Sequence, residues 1–157
     1  MGLKGNKAME IFEIKGQPMG KQRPKFTRMG NYTKTYTPKE TVNYETFVRL
    51  CYQNQCKECF GKKPLSIHIK AYYKIPTSYS FKKKMQCYSG DIRPITKPDA
   101  DNIAKIICDS LNGIAYDDDK QIVTLLVEKY YTIEPRVVVT LKEIYDVKGN
   151  SQDKDIE

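Results

Sequence analysis

The chain has 157 residues, 39% of them hydrophobic and 29% charged, and 27 Lys and Arg against 19 Asp and Glu give it a formal charge of +8. That length suits one domain with a proper core, and the composition excludes a disordered chain. No apolar run approaches the ~20 residues that span a bilayer, and no apolar stretch of signal-peptide length follows the first lysines, so a cytoplasmic protein is expected.

In chain order, residues 10–16 read as a first strand ending at Gly16. From Ile14 to Lys39 there is no acidic residue but seven basic ones: Lys15, Lys21, Arg23, Lys25, Arg28, Lys34 and Lys39. Tyr32 and Tyr36 interleave with them, and Gly16, Pro18, Gly20, Pro24 and Gly30 predict an irregular or hairpin-like segment. Such a segment is either a solvated loop or a phosphate-contacting surface, and its length and aromatic content favour the second. Thr37-Pro38-Lys39-Glu40 has the pattern of a capping box with Pro at the first helical position, so a helix is expected from Pro38. Tyr44, Phe47, Val48 and Cys51 supply its buried face, and it fades before Gly61.

Residues 65–73 alternate strictly, with Leu65, Ile67, Ile69, Ala71 and Tyr73 on one side of a strand and His68 on the other, solvated face. Residues 75–97 read as a long basic loop carrying Lys82, Lys83, Lys84, Arg93 and Lys97 against the single acid Asp91. A helix follows Pro98, with Ile103, Ile106, Ile107 and Leu111 as its apolar stripe and Asn112-Gly113 as its stop. Strands at 121–131 and 136–142 complete the set, with Glu134-Pro135 in a hairpin connection between them. The expected fold is a single α/β domain, a mixed β-sheet packed with two main helices in the order β-(basic segment)-α-β-(long basic loop)-α-β-β. It should span residues 10–145, between a flexible N-terminus at 1–9 and a polar tail at 146–157. The five cysteines (51, 56, 59, 87 and 108) read as reduced thiols, since one C-x-x-C at Cys56 and Cys59 lacks the second pair that zinc requires.

Against this basic background, the window from Asp99 to Asp119 holds six aspartates and one lysine, a charge of −5, which leaves +13 for the rest of the chain. Distributed positive charge points to a polyanion, and nucleic acid is the commonest. Carboxylates would repel that partner unless a divalent cation bridges the two, and oxygen donors without His or Cys select Mg²⁺ or Mn²⁺. With Asp99 as N-cap, Asp101 falls in the first turn and Lys105 one turn further on. The plain alternative is ordinary capping with an Asp101–Lys105–Asp109 ladder at i, i+4. Asp117, Asp118 and Asp119 arrive beyond a helix about 13 residues and ~20 Å long, so they must double back along it to meet Asp99.

The stretch Lys97-Pro98-Asp99-Ala-Asp101-Asn102-Ile-Ala-Lys105 … Asp109-Ser-Leu-Asn112-Gly113 … Asp118-Asp119-Lys-Gln121-Ile122 resembles the RusA family of Holliday-junction resolvases, including its phage- and prophage-borne relatives. Gly20-Lys21-Gln22-Arg23-Pro24-Lys25-Phe26-Thr27-Arg28 is similar to the basic N-terminal element of the phage-type branch. The resemblance implies a homodimeric Mg²⁺-dependent endonuclease (Mn²⁺ as substitute) with no small-molecule cofactor and no membrane, which nicks branched DNA symmetrically across a four-way junction in recombination and repair. It puts the metal-binding carboxylates on Asp99, Asp101 and Asp119 and the catalytic lysine on Lys105. Because three aspartates stand where the pattern needs two, Asp118 competes with Asp119. Lys21, Arg23, Lys25, Arg28, Lys82, Lys83, Lys84 and Lys97 are the expected DNA contacts, largely blind to sequence. Three alternatives stand beside this reading: a metal-dependent nuclease for flaps or forks, a non-catalytic junction-binding protein, and a zinc-stabilised adaptor built on Cys51, Cys56 and Cys59.

Overall fold

The computed structural model describes residues 8–144. Residues 1–7 and 145–157, which hold most of the segments read as flexible ends, lie outside the described residues. Four strands form one mixed sheet in the order β1 (Met9–Lys15), β6 (Arg136–Glu143), β4 (Leu65–Lys74), β5 (Ile122–Thr132). β4 runs parallel to β5 and antiparallel to β6, which in turn pairs antiparallel with β1. A separate hairpin, β2 (Lys25–Met29) with β3 (Tyr32–Tyr36), occupies the basic segment as its turn residues predict.

Register puts Phe12 opposite Val139, Val139 opposite Ile69 and Ile69 opposite Val127, so one face of the sheet is apolar across all four strands. Helices α1 (Lys39–Gln55) and α3 (Ala100–Leu111) cover that face. Ile103, Ile106, Ile107 and Leu111 of α3 are fully buried there, the stripe read from the sequence. No helix among the described residues is long and apolar enough to cross a membrane.

Four details differ from expectation. β5 and β6 do not form a hairpin, because β4 lies between them. The connection at 133–135 steps across the end of β4, and three residues reach the ~10 Å that separates second-neighbour strands. Central placement gives β4 a hydrogen-bonding partner on each edge. Second, the predicted loop at 75–97 contains a helix, α2 (Phe81–Ser89), whose N-cap Ser80 accepts from the Lys83 amide and whose C-cap Gly90 has φ 88°. Both caps were in the sequence, but its triple lysine and lack of a buried stripe hid them. Third, α1 begins at Lys39 with Pro38 as a cap that makes no side-chain hydrogen bond, so the Thr37 capping box does not form. Finally, α1 buries Thr41, Val48 and Tyr52 while Phe47 is exposed. Apolar residues surround this helix, and packing of Tyr52 against Phe12 (ring centroids 5.3 Å apart, edge-on) helps select the face that turns inward.

Candidate active site

The entry to α3 is fixed from the sheet. The Tyr73 hydroxyl donates to the Pro98 carbonyl at 2.6 Å and Lys129 Nζ donates to the Thr96 carbonyl at 2.6 Å. Asp99 is the N-cap residue, in extended conformation, and its carboxylate makes no cap hydrogen bond. Asp101, in the first turn, is followed by Lys105 and Asp109 at i+4 and i+8 on the exposed side of α3.

That side of the helix forms the wall of a shallow cavity of about 470 Å³ floored by Ala104, Cys108, Ile122 and Leu125, and its charged lining is Asp101, Lys105, Asp109 and Asp119. The carboxylate–lysine ladder of the plain alternative does not form among the described residues. Lys105 makes no ion pair among the described residues, while Asp109 is paired with Lys21 at 3.2 Å. Lys21 also bonds Glu45 on α1. Burial alone would lower the Lys21 pKa, but hydrogen bonds to Glu45 and Asp109 outweigh it and hold the ammonium above its ordinary value. Lys21, expected as a free DNA contact, is therefore neutralised within the protein. Lys105 is the unpaired cation of the cavity.

Asp119 reaches the cavity because the chain reverses after α3. Gly113, with φ 78°, turns it, its amide donating to the Tyr116 carbonyl at 2.8 Å. Tyr116 is fully buried and its hydroxyl donates to the Cys108 carbonyl at 2.7 Å, strapping the returning chain to the helix. Asp118 then caps a short 3₁₀ turn, Asp119–Gln121: its Oδ1 accepts from the Lys120 amide at 3.0 Å and its own amide donates to Gln121 Oε1. Gln121 Nε2 donates to the carbonyls of Gly61 and Lys63, at 2.7 and 2.8 Å. The glutamine of the D-D-x-Q pattern thus locks the turn to the preceding loop. The two aspartates are split electrostatically. The Lys120 amide lowers the Asp118 pKa, whereas a hydrogen bond with Asp118, partial burial and the charges of Asp118 and Asp109 raise that of Asp119.

Asp99 faces a second groove, of about 490 Å³, formed where the basic segment from Pro18 to Arg23 lies against Lys97, Asp99 and Asn102. The contact is close: the Lys21 amide donates to the Asn102 carbonyl at 3.0 Å, and a Cβ on Gly20 would stand 2.8 Å from Pro98 Cβ and 3.0 Å from Asn102 Cβ. Only glycine fits there. Among the described residues, no three His, Cys, Asp or Glu side chains converge closely enough to hold a metal ion. Asp101 and Asp119 share the cavity, Asp99 borders the adjoining groove, and Asp118 is committed to its cap.

The cations expected to meet DNA are dispersed. Arg23, Lys25 and Arg28 are exposed, the last two on a hairpin whose every residue is exposed. Lys82 and Lys83 are exposed on α2, Lys84 is half-buried, and Lys97 is exposed at the mouth of the basic groove. The sequence reading missed the Lys21–Asp109–Glu45 cluster. Its one signal was Asp109, four residues beyond Lys105 in the motif. His68 Nε2 lies 2.5 Å from Glu128 Oε1 on the open sheet face, away from the cavity. All five cysteines are free thiols, and burial pushes Cys56 up to about 12.

Residues 15–142 match the family described as Endodeoxyribonuclease RusA. The chain belongs to the RusA endodeoxyribonuclease family. It is 35% identical over 135 residues to "Uncharacterized protein YqaN" of Bacillus subtilis strain 168, covering 85% of this chain and 95% of that protein. It is 27% identical over 135 residues, with the same coverage, to the "Crossover junction endodeoxyribonuclease rusA" of Lactococcus phage r1t. Within the RusA-family match, the structure accounts for much of the motif: Asn102 and Gly20 make the contact between segments, Gln121 locks the turn, and Asp101, Lys105, Asp109 and Asp119 line the cavity.

Proposed function

We propose that the protein is a divalent-cation-dependent, structure-specific endonuclease that resolves four-way DNA junctions, acting as a homodimer in the cytoplasm during recombination and repair. The observation that carries this reading is the cavity shared by Asp101, Asp119 and an unpaired Lys105, next to a groove walled by basic residues, in a chain of the RusA family. The donor set fits a hard cation, because it consists of carboxylate oxygens alone, without His or Cys.

Asp101, Asp119 and Asp99 would hold Mg²⁺ or Mn²⁺. Asp99 makes no cap bond that would keep its carboxylate in the groove. The engagement of Asp118 as a cap favours Asp119 as the third ligand. When bound, the ion supplies charge neutralisation at the phosphate and a lowered pKa for attacking water. Lys105, exposed and unpaired one turn from Asp101, contacts the scissile phosphate and stabilises its developing charge. Arg23 and Lys97, at the groove, hold the adjoining backbone, while Lys25 and Arg28 on the hairpin and the lysines at 82–84 reach the arms. The pairing of Lys21 with Asp109 leaves fewer uncompensated carboxylates where the strand must pass. A two-fold dimer matches the near two-fold symmetry of an open junction.

The test is cleavage of a synthetic mobile four-way junction, a flap and a plain duplex, each with Mg²⁺ or EDTA, with nicks mapped on every strand. Symmetric, religatable nicks confined to the junction and dependent on Mg²⁺ are expected. Equal activity in EDTA would overturn the reading, and preference for the flap would reassign the substrate. Light scattering of the purified protein tests the dimer.

A further inference from the structure

Helix α2 carries an apolar stripe on its outer side. Phe81, Met85 and Tyr88 recur at i, i+4, i+7 and are 80%, 51% and 64% exposed, while the helix buries only Cys87. With Ile75 and Ile133 they line a groove of about 440 Å³ rimmed by Lys74 and Lys84. A helix in a soluble domain ordinarily turns such a stripe inward, and an exposed patch of this kind marks a binding surface.

The surrounding charge selects the occupant. From Ile75 to Gly90 there is no acidic residue, and Lys82, Lys83 and Lys84 sit on the same helix. A second copy on this face would bring six such lysines together, with no carboxylate on the helix itself to pair them. A polyanion meets no such repulsion. The groove also adjoins the basic segment, since the Lys74 amide donates to Gln17 Oε1 at 2.9 Å and the neighbouring Tyr73 holds Pro98 beside Asp99. Duplex DNA hides its apolar base faces in the stack, whereas a branch point interrupts the stack and makes those faces available. Apolar side chains flanked by cations exploit such interruptions.

We propose that the outer face of α2 is a wedge that receives unstacked bases at a DNA branch point. Phe81 stacks on a base at the mouth of the groove, Met85, Tyr88 and Ile133 provide its apolar bed, and Lys82 and Lys84 contact the flanking phosphates. Lys83 is already engaged over the Tyr79 ring, its Nζ 3.7 Å from the centroid. The wedge rests on the reading of the chain as a branched-DNA endonuclease. It supplies that reading with a source of selectivity for branched over plain duplex DNA.

The experiment is binding in EDTA, without cleavage, to an immobile four-way junction and a matched duplex carrying 2-aminopurine at the branch-point position. The unaltered protein should raise 2-aminopurine fluorescence in the junction but not in the duplex. Phe81→Ala should abolish the rise and weaken junction binding about 10-fold, leaving duplex binding within about two-fold, whereas Phe81→Trp should retain both effects. Lys82→Gln should weaken junction and duplex alike. A Phe81→Ala protein with an unaltered fluorescence response and junction-to-duplex ratio overturns the wedge alone. So does a Phe81→Ala protein that changes oligomeric state by light scattering while its DNA response is unaltered, because the face is then a protein interface. If the unaltered protein binds neither DNA, the branched-DNA reading itself fails.

Discussion

The basic segment at 14–39 and the acidic window at 99–119 carry opposite charge and are also held in opposite ways. The window is built on α3, whose inner face is fully buried, and its aspartate turn is tied down by the buried Tyr116 and by Gln121. The basic segment touches the domain closely at Gly20 and Lys21, then projects a hairpin with every residue exposed. Groups that must stand in fixed relation for chemistry need a rigid support. Cations that follow a phosphate backbone act through long-range, sequence-blind attraction and tolerate a loose one. Lys21 joins the two regions through its ion pairs with Asp109 and Glu45.

That contrast can be broken from either side. The largest effect is expected from Asp101→Asn: junction cleavage falls by about 10³-fold while binding, measured by gel shift, is retained or strengthened because a repulsive charge is gone. The second test concerns rigidity. Ile107→Ala, at a fully buried position of α3, should cost about 2–5 kcal/mol, whereas Phe26→Ala, at a hairpin residue 71% exposed, should change stability by less than about 0.5 kcal/mol. Urea denaturation of both variants measures the difference.

Lys21→Met tests the joint between the regions. It should lower kcat for junction cleavage by roughly 10-fold with little change in junction affinity, and Lys21→Arg should restore most of the loss. A free phosphate contact would instead weaken binding and leave kcat unchanged. On the hairpin, replacing Lys25, Arg28 and Lys34 by Gln should flatten the plot of log affinity against log salt, by about 0.7–0.9 for each phosphate no longer neutralised, with the melting temperature unmoved. The smallest effect concerns pH. The folded-state pKa of Asp119 is raised, so its ionised form costs stability above that pKa and the cost vanishes as pH falls below the unfolded value. Asp119→Asn should therefore raise the melting temperature slightly at pH 7 and leave it unaltered near pH 3.

Much of the fold was legible because it rests on local periodicity. The alternation at 65–73 and the stripe Ile103–Leu111 each identify a buried face without reference to any neighbour. What failed depended on neighbours. The short connection at 133–135 looks the same whether it closes a hairpin or steps over β4, and the inward face of α1 is chosen by what packs on it. The site shows the same division. Residue types and spacing pointed to Asp99, Asp101, Lys105 and the aspartate run, because those carboxylates are anomalous in a basic chain.

The sequence by itself therefore determined the charge pattern, the family motif and the elements that carry them, all of which are properties of residues close together along the chain. Only the tertiary structure decided that Asp118 is spent on a cap while Asp119 lines the cavity. It alone revealed that Asp109 is answered by Lys21, 88 positions earlier, and that Lys105 has no ion-pair partner among the described residues. Pairing energies act through space, and the partners of a charged side chain are fixed only once the helices and the sheet have packed.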